Sequence, residues 1–166
     1  VTNPIRIQIA PKERVSKNID HSKFFVKADE KRFFLERIIK EHEDKKIIVF
    51  VRTKVRAERV SKAMERAFID TMTLHGDKDQ KDRFDVLDKF RKGICKVLIA
   101  TDVSARGIDI PNVDYVVNYD LPDEPENYVH RVGRTGRGDK KGQAITFCST
   151  EEKPTLKIIE TFLHNP

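Results

Sequence analysis

A chain of 166 residues has room for one ordinary domain, and with 38% hydrophobic and 36% charged residues its core must come from apolar side chains gathered into short segments. No window reaches the 18 or so apolar residues that span a bilayer, and no charged-then-apolar leader follows Val1, so a soluble cytoplasmic protein is expected. The formal charge of +6 raises the odds of a polyanionic partner without requiring one.

The first 45 residues contain no chemical motif. Ile5, Ile7 and Ile9 alternate with polar residues, and Ile19 to Val26 forms a second extended candidate. Residues 1–28 read as a linker-proximal segment with the first strand, and the start at Val1, just ahead of Pro4, as lying in a linker. An amphipathic helix is predicted over about 29–43, with Phe33, Phe34, Ile38 and Ile39 inward. From residue 46 short apolar runs alternate with amphipathic stretches. A strand at 47–51 precedes a helix over 53–66, in which Val55, Val60 and Met64 recur at helix-like intervals. A short run at 71–74 leads into the turn His75-Gly76-Asp77. A helix over 79–91 follows, capped by Asp79, with Phe84, Leu87 and Phe90 on one face. Strands at 96–100 and 114–118, a helix around 124–133, a strand at 143–148 and a helix from Thr150 to near Leu163 complete the chain. Continuously apolar strands alternating with helices imply a parallel sheet covered on both faces. Residues 1–166 are read as one α/β domain.

Cys95 and Cys148 are far apart in apolar stretches and read as small buried hydrophobes. His21, His42, His75 and His164 show no metal-ligand spacing, and no metal site is expected in this chain.

The strongest chemical signal is His130-Arg131-Val132-Gly133-Arg134-Thr135-Gly136-Arg137. Arginines at three-residue intervals offer fixed forks of donors that grip phosphate oxygens, and glycines beside them let backbone approach a ligand and permit φ > 0 where a helix gives way to a loop. A solvated basic helix end is the bland alternative. A second constellation, Ala100-Thr101-Asp102-Val103-Ser104-Ala105-Arg106-Gly107-Ile108-Asp109, begins where a strand ends, the place where open α/β sheets bind ligands. A capped turn with Thr101 or Asp102 as N-cap is its alternative. Phe50-Val51-Arg52-Thr53-Lys54 leaves another strand end, and Leu74-His75-Gly76-Asp77 is followed by Gln80 and Arg83 on one helix face. Thr53 also reads as a simple N-cap, and Gln80 as a solvated polar residue.

In this order the four segments resemble motifs IV, IVa, V and VI of the DEAD-box ATP-dependent RNA helicases, within helicase superfamily 2. The likeness covers nearly everything from residue 46 onward, and the short loops suggest a bacterial member. Arg52 departs from the family's frequent asparagine-threonine pair. The resemblance implies a RecA-like three-layer α/β/α sandwich, the second of two such domains in the family. It further implies that Arg134 and Arg137 act as arginine fingers on the γ-phosphate of ATP. Gly107 and Asp109 would lie against the nucleotide, and Arg52, Thr53, Gly76, Arg83 and Thr101 would contact the RNA. Asp102, Arg106, His130, Arg131, Gly133 and Gly136 would support the motifs, and Asn118 to Pro122 resembles the segment between motifs V and VI.

No GxxxxGK[ST] loop and no Walker-B-like strand end occur, although both are needed to cradle the phosphates and Mg²⁺. ATP with Mg²⁺ would therefore be held mainly by an N-terminal RecA-like domain, and this chain alone would not hydrolyse it. The expected partners are that domain and RNA, contacted through its sugar-phosphate backbone with little sequence preference, by a monomer without a membrane role. A non-catalytic nucleic-acid-binding or protein-docking module, or a helicase directed at DNA, stays open as an alternative.

Overall fold

The computed structural model describes residues 5–6, 18–76, 79–102, 110, 112–136 and 140–164. Among them seven strands form one sheet: β1 (Ile5–Arg6), β2 (Ile19–Phe25), β3 (Ile47–Phe50), β4 (Met72–Leu74), β5 (Val97–Ala100), β6 (Tyr115–Asn118) and β7 (Gly142–Cys148). Their order is β1-β2-β7-β6-β3-β5-β4. Strands β2 to β7 all run parallel, and only β1 pairs antiparallel, on β2 at the edge.

Among the described residues five α-helices cover this sheet: α1 (Lys31–Glu41), α2 (Lys54–Arg66), α3 (Gln80–Arg91), α4 (Pro125–Val132) and α5 (Lys153–His164). The contiguous apolar runs of the central strands explain the two-sided covering. Alternate residues of β3 point to opposite faces, so Ile48 and Phe50 join one core cluster while Ile47 and Val49 join the other. Leu35 and Ile39 of α1 and Ala57, Val60 and Met64 of α2 complete the second cluster. Leu87 and Phe90 of α3, Tyr128 and Val132 of α4 and Leu156, Ile159 and Leu163 of α5 complete the first. The three layers are those expected of a RecA-like sandwich.

Elements and caps follow the sequence reading closely. Thr53 caps α2 by accepting from Arg56 N at 3.2 Å, and Asp79 caps α3 by accepting from Asp82 N at 2.8 Å. Three helix faces differ from expectation. Phe33, Val55 and Phe84 are 56%, 54% and 69% exposed. At 3.6 residues per turn Val55 lies about 140° around α2 from Val60, and Phe33 about 160° around α1 from the buried Leu35, so neither can share the inward seam. Phe84 is about 120° from Phe90, at the edge of its stripe. Ile7, Ile9 and Asp77 lie outside the described residues.

Because the strands are parallel, all their carboxyl ends reach one edge of the sheet. Phe50 is in register with Ala100 and Asn118, and Ala100 with Leu74. Connections at the opposite edge are short turns, such as Lys92–Lys96, where Gly93 has φ 77° and Ile94 is 70% exposed. The helices that follow β3 and β6 go to opposite faces, which opens a crevice at the carboxyl ends of these two neighbouring strands.

Candidate functional site

The crevice is organised by one side chain. Arg131, in the last turn of α4, is 1% exposed. Its Nε and Nη2 donate to the two carboxylate oxygens of Asp102 at 2.6 and 2.7 Å, beyond the end of β5. Its Nη1 donates to the Asp120 carbonyl at 2.6 Å and to Asn118 Oδ1 at 3.2 Å, and the guanidinium lies 5.1 Å from the centre of the Phe50 ring. A single planar fork thus ties α4 to the ends of β3, β5 and β6, in the bidentate geometry that favours arginine over lysine. Asp102 is the partner that orients this arginine.

Asp120 continues the chain of contacts. Its carboxylate accepts from the Arg52 backbone N–H at 3.0 Å, from Arg56 Nε and Nη2 at 2.6 and 2.7 Å, and from Lys31 Nζ at 3.1 Å. Lys31 is 2% exposed and also donates to Glu152 at 2.7 Å. Glu152 in turn accepts from the Leu121 and Ser149 backbone N–H groups and the Ser149 hydroxyl. Burial alone would push both carboxyls up, but Arg56 and Lys31 hold Asp120, and Lys31 with backbone donors holds Glu152, below the usual carboxylate range. The Asp120 partnership likewise raises the Arg56 guanidinium. This network was not legible as a motif. Lys31 reads as a solvated residue at a helix start, and its partners are 89 and 121 positions away. Only Asp120 carried a signal, in the segment before Pro122.

After α4 the chain turns at Gly133, whose φ of −64° is ordinary helical backbone, so its freedom is not what the turn requires. A side chain there would meet the Val129 carbonyl at 3.2 Å. Gly136 is the residue that needs to be glycine. Its φ is 77°, and a Cβ would come within 2.6 Å of Ile19 and 2.7 Å of the Asn18 carbonyl. Between them Arg134 is half-buried, its carbonyl accepting from Val113 N–H at 2.8 Å, and Thr135, 2% exposed, donates its hydroxyl to the Val113 carbonyl. These contacts fix the loop that carries Arg134. His130 is exposed, and its side chain makes no hydrogen bond to a described residue.

Among the described residues, Arg52, Thr53, Gly76, Arg83 and Thr101 lie at the carboxyl edge. Arg52 is exposed, with its guanidinium 3.6 Å from Asp123 and 3.7 Å from Glu152, and Thr53 is exposed at the start of α2. Gly76 is exposed with open space around its Cα, and Arg83 Nε is buried without a described partner. Thr101 is 7% exposed, which leaves little of it for a ligand to touch. His75 bonds Glu58 at 2.7 Å, and Glu58 also accepts from Thr73, so His75 locks β4 to α2. Arg106, Gly107, Asp109 and Arg137 lie outside the described residues.

Among the described residues the edge presents arginines and backbone donors, while Asp102 and Asp120 are engaged. Both oxygens of Asp102 and of Asp120 already accept from guanidinium groups. Such a surface fits one wall of a phosphate site and supplies no carboxylate for a divalent cation at these two positions.

Comparison with known proteins agrees with this geometry. Residues 30–139 match the helicase conserved C-terminal domain. The chain is 40% identical over 165 residues to the ATP-dependent RNA helicase RhlB of Shewanella oneidensis, covering 99% of this chain and 38% of that protein. It is 45% identical over 160 residues to the ATP-dependent RNA helicase CshA of Listeria monocytogenes, covering 95% of this chain and 30% of that protein. The chain thus spans well under half the length of these curated relatives. Among solved structures, the C-terminal domain of the DEAD-box protein Dbp5 superposes with a TM-score of 0.79 at 34% identity, covering 93% of this chain and 88% of that one. The chain belongs to the helicase conserved C-terminal domain family, in the form carried by DEAD-box RNA helicases.

Proposed function

We propose that this chain is the C-terminal half of an ATP-dependent RNA helicase, supplying arginines and part of the RNA surface to a site completed by an N-terminal RecA-like half. The observation that carries the proposal is the Arg131 clamp on Asp102 and Asp120, which anchors α4 and with it the loop that bears Arg134. ATP, bound mainly to the other half with Mg²⁺, would bring the γ-phosphoryl whose developing charge needs stabilising. Arg134 would reach it with a permanent cation, together with Arg137, and a finger of this kind is worth about 10³–10⁵ in rate. Arg52, Thr53, Gly76 and Arg83 would meet RNA phosphates along the carboxyl edge of the sheet, so closure of the two halves on ATP and on RNA becomes one event. Energy would go into switching affinity for single strands, not into stepping along them.

The test joins this chain, by fusion or mixing, to the N-terminal half of the same protein. RNA-stimulated ATP turnover should appear only in the joined form, and Arg134→Ala should abolish turnover while nucleotide affinity falls far less. Robust hydrolysis by the isolated chain, or near-normal turnover by the joined variant, would sink the proposal. Stimulation by DNA as strong as by RNA would redirect it to a DNA helicase.

A further inference from the structure

Helices α1 and α2 lie side by side on the sheet face opposite α4, and a cleft runs between them that the proposed ATPase and RNA roles leave unused. One part, of about 530 Å³, is walled by Arg32, Arg59, Lys62 and Arg66, with Asp29 its single acid. It continues past Arg32 and Arg66 into a second part of about 310 Å³, where Phe33, Met64 and Ala67 form the wall.

Four cations gathered in one cleft give it a positive potential that Asp29 alone does not neutralise. The side chains of Arg59, Lys62 and Arg66 are exposed and make no hydrogen bond or ion pair to a described residue. By contrast Arg56, at the inner end of the cleft, is fully engaged by Asp120, and Glu36 in the second part is held by Lys40 at 2.9 Å. Arg59, Lys62 and Arg66 stand at i, i+3 and i+7 of α2, so they form one stripe about 10 Å long. The apolar end is equally unusual. Phe33 is 56% exposed, and just past the cleft Phe68 is 97% exposed with φ 62°, a conformation that costs a non-glycine residue energy.

We propose that this cleft docks an acidic peptide segment with an apolar anchor. Its carboxylates would pair with Arg59, Lys62 and Arg66, and the anchor would lie against Phe33 and Ala67. RNA fits less well. Its uniform phosphate chain has nothing apolar to place at the second part, and Arg32 already lies 4.8 Å from the centre of the Phe33 ring, where a base would stack. The inference is independent of the helicase reading, since no residue in it belongs to the proposed ATPase or RNA surfaces.

Fluorescence anisotropy with this chain tests it. The probe is a fluorescein-labelled peptide of about 18 residues, with Glu at every third or fourth position and one terminal Phe. The Arg59→Glu/Arg66→Glu variant should bind it at least about tenfold more weakly. Replacing every Glu of the probe by Gln should have a similar effect, and Phe33→Ser should weaken it about fivefold. The exposed positions of Arg59 and Arg66 mean that Tm and affinity for an oligouridine should be unchanged. Peptide binding indifferent to the charge reversal would overturn the proposal. An equal loss of oligouridine affinity would overturn it too, and assign the cleft to RNA.

Discussion

Arg131 makes four hydrogen bonds from a position that is 1% exposed, and its loss would leave Asp102 unpaired and the Asn118 and Asp120 oxygens unsatisfied. Removing one partner of a buried ion pair typically costs about 3–5 kcal/mol, so Arg131→Met should lower the unfolding free energy by about that much in urea titration. Arg131→Lys should recover little of it, because an ammonium cannot serve two carboxylate oxygens and two further acceptors at once. His21 makes a different prediction. It is 5% exposed on β2, its Nδ1 2.7 Å from the Tyr128 hydroxyl, and burial lowers its pKa from 6.5 to about 4 despite the nearby Asp20. The unfolded chain takes up the proton near 6.5 and the folded one only near 4, so stability falls as pH drops through that window. Between pH 7 and pH 5 the loss should be about 2 kcal/mol, before Asp120 and Glu152 begin to protonate. An NMR titration that finds His21 near 6.5 would contradict this. The eight-residue run at 130–137 revealed the importance of Arg131 in the sequence, but the asymmetry between its neighbours was hidden. Only coordinates separate the helical φ of Gly133 from the left-handed φ of Gly136.

At the level of elements, α1 is fastened to the rest by Lys31, which bridges Asp120 beyond β6 and Glu152 just before α5. Lys31→Met would leave two carboxylates facing each other with one cation fewer. It should cost about 3 kcal/mol at neutral pH and less near pH 4, where Glu152, left with Ser149 and backbone donors, can protonate. Thermal unfolding at the two pH values checks the sign. A cost that does not change with pH would assign Lys31 to packing alone. The order and type of elements were readable because buried parallel strands are short, continuous apolar runs and their helices are not. Helix faces were less readable. Val55, Phe33 and Phe84 are large and apolar, yet the seam between helix and sheet is narrow and is filled by Ala57, Leu35 and Leu87. Size and polarity suggest which residues can be buried, whereas phase around the helix decides which of them are.

For the whole molecule, parallel strands deliver Arg52, Thr53, Gly76, Thr101, Asp102 and Asp120 to one edge, although they are spread over about seventy positions of sequence. If this edge meets RNA phosphates as proposed, binding releases counterions, and the affinity of the isolated chain should fall linearly in a plot of log affinity against log salt. Arg83→Gln should reduce that slope by about one. A slope unaffected by the substitution would remove Arg83 from the surface. The opposite edge carries none of these residues. At its Lys92–Lys96 turn Ile94 projects into solvent, separated from the charged rim by a strand roughly 13 Å long. Ile94→Cys could carry an environment-sensitive dye there, since burial raises the pKa of the neighbouring Cys95 thiol and slows its labelling. Such a dye would offer energy transfer to a second label on the proposed N-terminal half, and would report any opening and closing of the joined protein in single molecules from a position away from the charged rim.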